Sequence, residues 1–139
     1  MLCLLAWMPS RAQAGLQIDS LFSGCLVPAS KITESVVSGK ELKPYNLSYF
    51  RSVRFKATDH ELAKVAAWIE SDALIAEDKE MESEDGALSY ALLSFSGGKS
   101  LNKYVGYQVK EAAGSKFVTV VYMEGKATTR DLKVIFKHR

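Results

Sequence analysis

Thr58-Asp59-His60-Glu61-Leu62-Ala63-Lys64-Val65-Ala66-Ala67-Trp68-Ile69-Glu70-Ser71-Asp72-Ala73 is the stretch that decides the fold class. Its threonine hydroxyl can accept a hydrogen bond from the amide of Glu61 while the Glu61 carboxylate reaches back to the amide of Thr58, a reciprocal capping box that opens a helix. At about 100° per residue, Leu62, Val65, Ala66, Ile69, Ala73 and Ala76 share roughly a third of the circumference. Such a stripe packs on a sheet. Trp68 and Ile75 make a second ridge about 120° away, so a further element or a partner is expected to cover that flank. Trp68 is therefore a candidate contact residue, with core packing as the simpler alternative.

The segments around this helix read as strands. From Leu47 to Lys56, Leu47, Tyr49, Val53 and Phe55 alternate with Ser48, Ser52, Arg54 and Lys56, and Phe50 shares the polar side. Arg51 falls on the apolar side, where burial without a partner is costly. It is expected at an edge, beside a carboxylate or on a bulge, and is a second candidate binding residue. Ala87 to Phe95 and Phe117 to Met123 are apolar on both faces, as central strands are. Leu101 to Lys110 alternates again and places Tyr104, Gln108 and Lys110 beside Asn102 on its polar side. A surface of that composition suits a protein or glycan partner; the alternative for Tyr104 is that its ring covers the open face of the sheet.

The remaining segments are shorter. Ile18, Leu21 and Phe22 fit a short helix that Gly24 ends, and Ile32, Val36 and Val37 a short strand. Pro44 favours an extended approach to Leu47. Six acids between Glu77 and Asp85 read as a solvated linker. Ala112-Ala113-Gly114-Ser115 is a hairpin turn. Leu132, Ile135 and Phe136 favour a final helix over 130–137, with a strand as the alternative. The resulting fold class is α+β: an antiparallel meander of about four to five strands with one long helix and one or two short helices on one face.

The chain of 139 residues fits one domain, and its 47% apolar content suffices for a packed core. Met1 to Met8 is an apolar run ahead of Pro9, Arg11 and the small-x-small sequence Ala12-Gln13-Ala14. This is the pattern of a signal peptide over 1–14, although no Lys or Arg precedes the run. A mature domain over 15–139 is expected in the periplasm or outside the cell, with no integral membrane segment. Removal of the leader takes Cys3 away and leaves Cys25 as a lone inert thiol, which excludes an intrachain disulfide. Leu21-Phe22-Ser23-Gly24-Cys25 faintly resembles a lipobox, from which Asp19 and Phe22 depart.

A net charge of +2 from 18 basic and 16 acidic residues gives no field that would draw nucleic acid. Gly97-Gly98-Lys99-Ser100 lacks the upstream glycine and the helix of a phosphate-binding loop. The acids of 77–85 lack the glycine and closing glutamate of a calcium loop. His60, His138 and Cys25 have no metal-ligand spacing. No cofactor, metal or catalytic residue is assigned.

Gly15-Leu16-Gln17-Ile18-Asp19-Ser20-Leu21-Phe22 together with Leu47-Ser48-Tyr49-Phe50-Arg51-Ser52-Val53-Arg54-Phe55 resembles a family of small exported Bacteroidetes proteins with a domain of unknown function. A broader group shares the Ile-Asp-x-Leu-Phe opening and a closing strand, turn and short helix. The resemblance implies a Gram-negative envelope location and carries no catalytic residues. The expected function is that of a non-catalytic accessory or binding protein for an envelope protein or glycan. The alternative is a hydrolase using carboxylates among Asp59, Glu61, Asp72 and Glu77 with Arg51 or Arg54, where Glu61 and Asp72 lie on roughly one helix face.

Overall fold

A computed structural model describes residues 16–97 and 100–137, with side chains through Ile135. The expected leader, the expected start at Gly15, and Gly98, Lys99 and His138 lie outside the described residues. The elements are α1 (Asp19–Phe22), β1 (Thr33–Ser38), β2 (Leu47–Ala57), α2 (Asp59–Ala73), β3 (Asp78–Glu84), β4 (Ala87–Phe95), β5 (Asn102–Ala112), β6 (Ser115–Gly125) and α3 (Thr129–Lys137). Short 3₁₀ turns cover Ala29–Lys31 and Gly39–Tyr45. The α+β class stands, but the sheet has six strands in the order β1-β2-β6-β5-β4-β3. All pairs are antiparallel. Only β3 to β6 form a meander; β2 crosses over to pair with β6, which places β1 at one edge.

The acidic linker is corrected to the edge strand β3. Asp85 and Gly86 take positive φ values of 51° and 80°, the conformation of a two-residue hairpin turn whose twist matches its strands. Glu84 then pairs with Ala87 and Asp78 with Ser94. Burial of carboxylates is avoided because the strand lies at the sheet's edge, where its charges also discourage pairing with another chain. Pro44 sits inside the 3₁₀ turn and not in an extended segment; Asn46 in the left-handed region ends that turn and feeds β2 directly.

The helices do not share one face. Val65, Ile69 and Ala73 of α2 and Ile18, Leu21 and Phe22 of the α1 segment bury against Val53, Phe55, Leu93, Val105, Tyr107 and Val120. Side chains such as Val65 and Ile69, fully enclosed, contribute about 1.5–3 kcal/mol each. On the opposite face, Leu42 of the 3₁₀ turn and Leu132 of α3 cover Leu47, Phe50, Leu92, Tyr104, Val121 and Met123. α3 forms where the final helix is expected: Thr128 and Asp131 bond reciprocally through Oγ1 and Oδ2 to each other's amides, and Lys133 pairs with Glu80 of β3 at 2.8 Å.

Cys25 is disulfide-bonded in the full chain, whereas the expectation of a lone thiol concerns the chain after loss of the leader. The sequence holds one other cysteine, Cys3, which lies outside the described residues.

Candidate functional site

The second face changes character halfway along its strands, and the change makes the site. Lateral register aligns Val37, Phe50, Met123 and Tyr104 in one row, and Ser35, Ser52, Val121, Gly106 and Leu92 in the next. The third row is Thr33, Arg54, Thr119, Gln108 and Tyr90, and the fourth is Lys56, Phe117 and Lys110. The first row and the apolar part of the second lie under α3 and the Gly39–Tyr45 turn. Beyond them the side chains become hydroxyls, an amide and cations, and among the described residues no helix packs over them.

The uncovered half is concave. A groove of about 260 Å³ is lined by Thr33, Ser35, Ser52, Arg54, Gln108, Lys110, Phe117 and Thr119. Every one of these comes from β1, β2, β5 or β6, so the lining stands on a hydrogen-bonded scaffold and not on loops. The Arg54 guanidinium carbon lies 5.3 Å from the centre of the Phe117 ring, a cation–π distance that holds the flexible arginine over the groove. Chemically, the lining can donate to and accept from a hydroxylated ligand and attract an anion. A larger hollow of about 500 Å³ is lined by Leu16, Ile75, Phe95 and Leu101 among others, with fewer groups able to hydrogen-bond a ligand than the polar groove.

Two of the five residues singled out from the sequence, Gln108 and Lys110, line this groove. Tyr104 shares their strand face but is only 2% exposed. Its hydroxyl donates to the carbonyl of Ala127 at 2.8 Å, so the ring covers the sheet and anchors the start of α3. Arg51 and Trp68 belong to the other face. Arg51 finds the expected carboxylate in Glu34 of the neighbouring strand and lies over the Phe22 ring at 5.0 Å; the only register shift in its strand pairing is between Leu47 and Tyr49. Trp68 packs partly buried against the first core with the Lys64 ammonium 5.6 Å from its ring centre. Arg54, named from the sequence only for the hydrolase alternative, lines the groove with Phe117, Thr119, Ser52, Thr33 and Ser35, which the sequence did not single out.

The helix carboxylates stand apart from the groove, on the far side of the sheet. Glu61 is engaged in the capping box, its Oε1 accepting from the Thr58 amide at 2.9 Å. Asp72 is 1% exposed, and its two oxygens accept the amides of Gln17 at 2.7 Å and Ile18 at 3.0 Å. It thus tethers the chain entering α1 to α2. Burial raises the Asp72 pKa above its ordinary value, and the two backbone hydrogen bonds partly oppose the shift. Asp19 is raised likewise by burial, against the attraction of Arg51. Among the described residues no group of His, Cys, Asp and Glu side chains is arranged to hold a metal ion, and no helix is long and apolar enough to cross a membrane.

No curated protein and no solved structure matches the chain. One family model does, over residues 5–136, which span nearly the whole sequence and all six strands. The chain belongs to that family, the family of unknown function DUF6108.

Proposed function

We propose that the chain is a non-catalytic accessory or binding protein of an exported compartment, the periplasm or envelope of a Gram-negative bacterium of the Bacteroidetes, and that it holds its partner in the polar groove. The observation that carries this reading is the convergence of hydroxyls, an amide and cations from four adjacent strands on one concave surface. Rigid strands fix the lining, which favours recognition by a prearranged surface. An apolar leader ending at Ala14 supplies the export route.

The test is capture from the native envelope with the tagged protein and with its Gln108→Ala/Lys110→Ala double variant. Material bound by the first and lost by the second supports the proposal; equal capture by both, or none above control, contradicts it. N-terminal sequencing tests the export route, which predicts a start at Gly15, and an intact Met1 would remove it. Mass measured with and without reductant then shows whether processing retains, exchanges or loses the bond at Cys25.

A further inference from the structure

We infer that the chain forms a two-fold dimer by pairing β1 with the β1 of a second copy, which joins two six-stranded sheets into one continuous sheet. The inference goes beyond the groove and does not rest on it. A sheet edge carries a row of backbone amides and carbonyls that another strand can take up, and chains that stay apart guard their edges with charges, prolines, bulges or cover. The two edges of this sheet differ. Five of the seven residues of β3 are charged, Asp78, Lys79, Glu80, Glu82 and Glu84, and its ladder is interrupted by a register shift between Glu82 and Ser83. β1 is Thr-Glu-Ser-Val-Val-Ser, without Lys, Arg or Pro, and it runs along β2 from Thr33 to Ser38 with no shift. Its one charged residue, Glu34, is bound to Arg51 of β2, and Val36 is 57% exposed.

The side chains of β1 match a second copy of themselves. A two-fold axis between antiparallel strands stands perpendicular to the sheet and keeps each face on its own side, so every residue opposes one of its own parity in the other copy. The two registers that leave only one end residue unpaired centre on Ser35 or on Val36. With Ser35 on the axis, Glu34 is set against Val36 of the second copy, a carboxylate against an apolar side chain. With Val36 on the axis, the two Val36 side chains cover each other, Glu34 meets the Ser38 hydroxyl and Ser35 meets Val37. The second register is favoured, because β-branched cross-strand pairs stabilise a ladder and the two Glu34 carboxylates are offset by about 14 Å along the strands. Growth stops at the dimer: the axis uses the bare edge of both copies and leaves β3 at each end, where acid would oppose acid. The same axis sets the polar grooves of both copies, each bordered by Thr33 and Ser35, on one face of the joined sheet. A peptide strand from another protein is the competing occupant of this edge, and the self-match around Val36 favours the second copy.

The test is sedimentation velocity of the protein as purified from the source bacterium, over a rising concentration series. The expected result is an equilibrium between monomer and dimer with no larger species. Val36→Lys opposes two ammonium groups on the axis and should weaken dimerisation about tenfold or more. Leu74→Lys, at an exposed apolar residue just beyond α2, should leave it unchanged. Peptide mapping after mild oxidation places the axis without relying on the fold of Val36→Lys. Val36→Cys should link to its own copy, since opposed residues have Cα atoms about 4.5–5.5 Å apart, within disulfide range, whereas Ser38→Cys should not. Monomer at every concentration, a dimer as tight in Val36→Lys as in wild type, a dimer lost in Leu74→Lys, or a dimer without the Val36→Cys link overturns the inference. So does a monomer whose envelope capture is lost in Val36→Lys, which would assign the edge to a strand of another protein.

Discussion

Replacing Asp72 by alanine isolates the contact that ties the N-terminal segment to the body of the fold. The wild-type carboxylate accepts two amides, one from Ile18 in a buried position and one from Gln17 in a partly buried one. A buried donor left without an acceptor costs about 1–3 kcal/mol, and the Gln17 amide can recover part of that from water. Removing Asp72 also relieves the penalty of keeping a carboxylate out of water, visible in its raised pKa. The net loss is therefore about 2 kcal/mol at neutral pH, equivalent to a roughly thirtyfold change in an equilibrium constant. Asp72→Asn keeps one acceptor but turns an NH₂ group toward the second donor, and should cost about half as much. Urea denaturation reads the global loss, and hydrogen exchange at Ile18 shows whether α1 opens on its own. The pH dependence gives an independent check. A carboxyl whose folded pKa is raised contributes stability that is fully present below its unfolded value of 3.8 and is lost as pH rises through the folded value. This component disappears in Asp72→Asn. An Asp72→Ala protein with unchanged urea midpoint and unchanged exchange at Ile18 would refute the tether.

Other positions give sharper or smaller effects. Tyr104→Phe removes the hydroxyl that donates to Ala127 and should lower stability by about 1 kcal/mol while speeding exchange in α3; unaltered α3 exchange would contradict its anchoring role. Gly125→Ala should be severely destabilising, seen as a lowered Tm, because a Cβ there meets the Asn46 carbonyl and lies 2.7 Å from the Leu47 Cα, both backbone atoms that cannot swing aside. Tyr107, buried and near Glu70, has its pKa pushed up to about 12. Its contribution is complete below the ordinary tyrosine value of 10.0 and declines as pH rises toward the folded value. Spectrophotometric tyrosine titration should show a late-ionising group that moves into the ordinary range on denaturation, and its absence would contradict the burial.

The long helix was legible because two independent signals, the capping box and the 3.6-residue apolar stripe, agree on the same residues. Arg51 was legible through its cost: a cation on an apolar strand face needs a carboxylate, and Glu34 supplies it. The hairpin at Ala113-Gly114 and the final helix also follow from local pattern. β3 was hidden by composition, since its acids outweighed the Asp85-Gly86 turn signal, yet an edge strand tolerates them. The second core was hidden for a different reason. Each strand contributes only one or two apolar residues to that half-face, such as Phe50 on β2 and Tyr104 on β5, and within one strand these look like exceptions to a polar alternation. Only lateral register gathers them under α3. The groove has the same origin: Gln108 and Lys110 stand out along their own strand, whereas Arg54, Phe117 and Thr33 join them through pairings between residues distant in sequence.

The most direct test of the polar half-face as the ligand surface is lysine acylation read by mass spectrometry, with and without solubilised envelope material from the source bacterium. The account predicts that Lys56 and Lys110 are shielded while Lys64 on α2 and Lys43 in the 3₁₀ turn label unchanged. Shielding of Lys64 or Lys43 with Lys56 and Lys110 still fully reactive would contradict it.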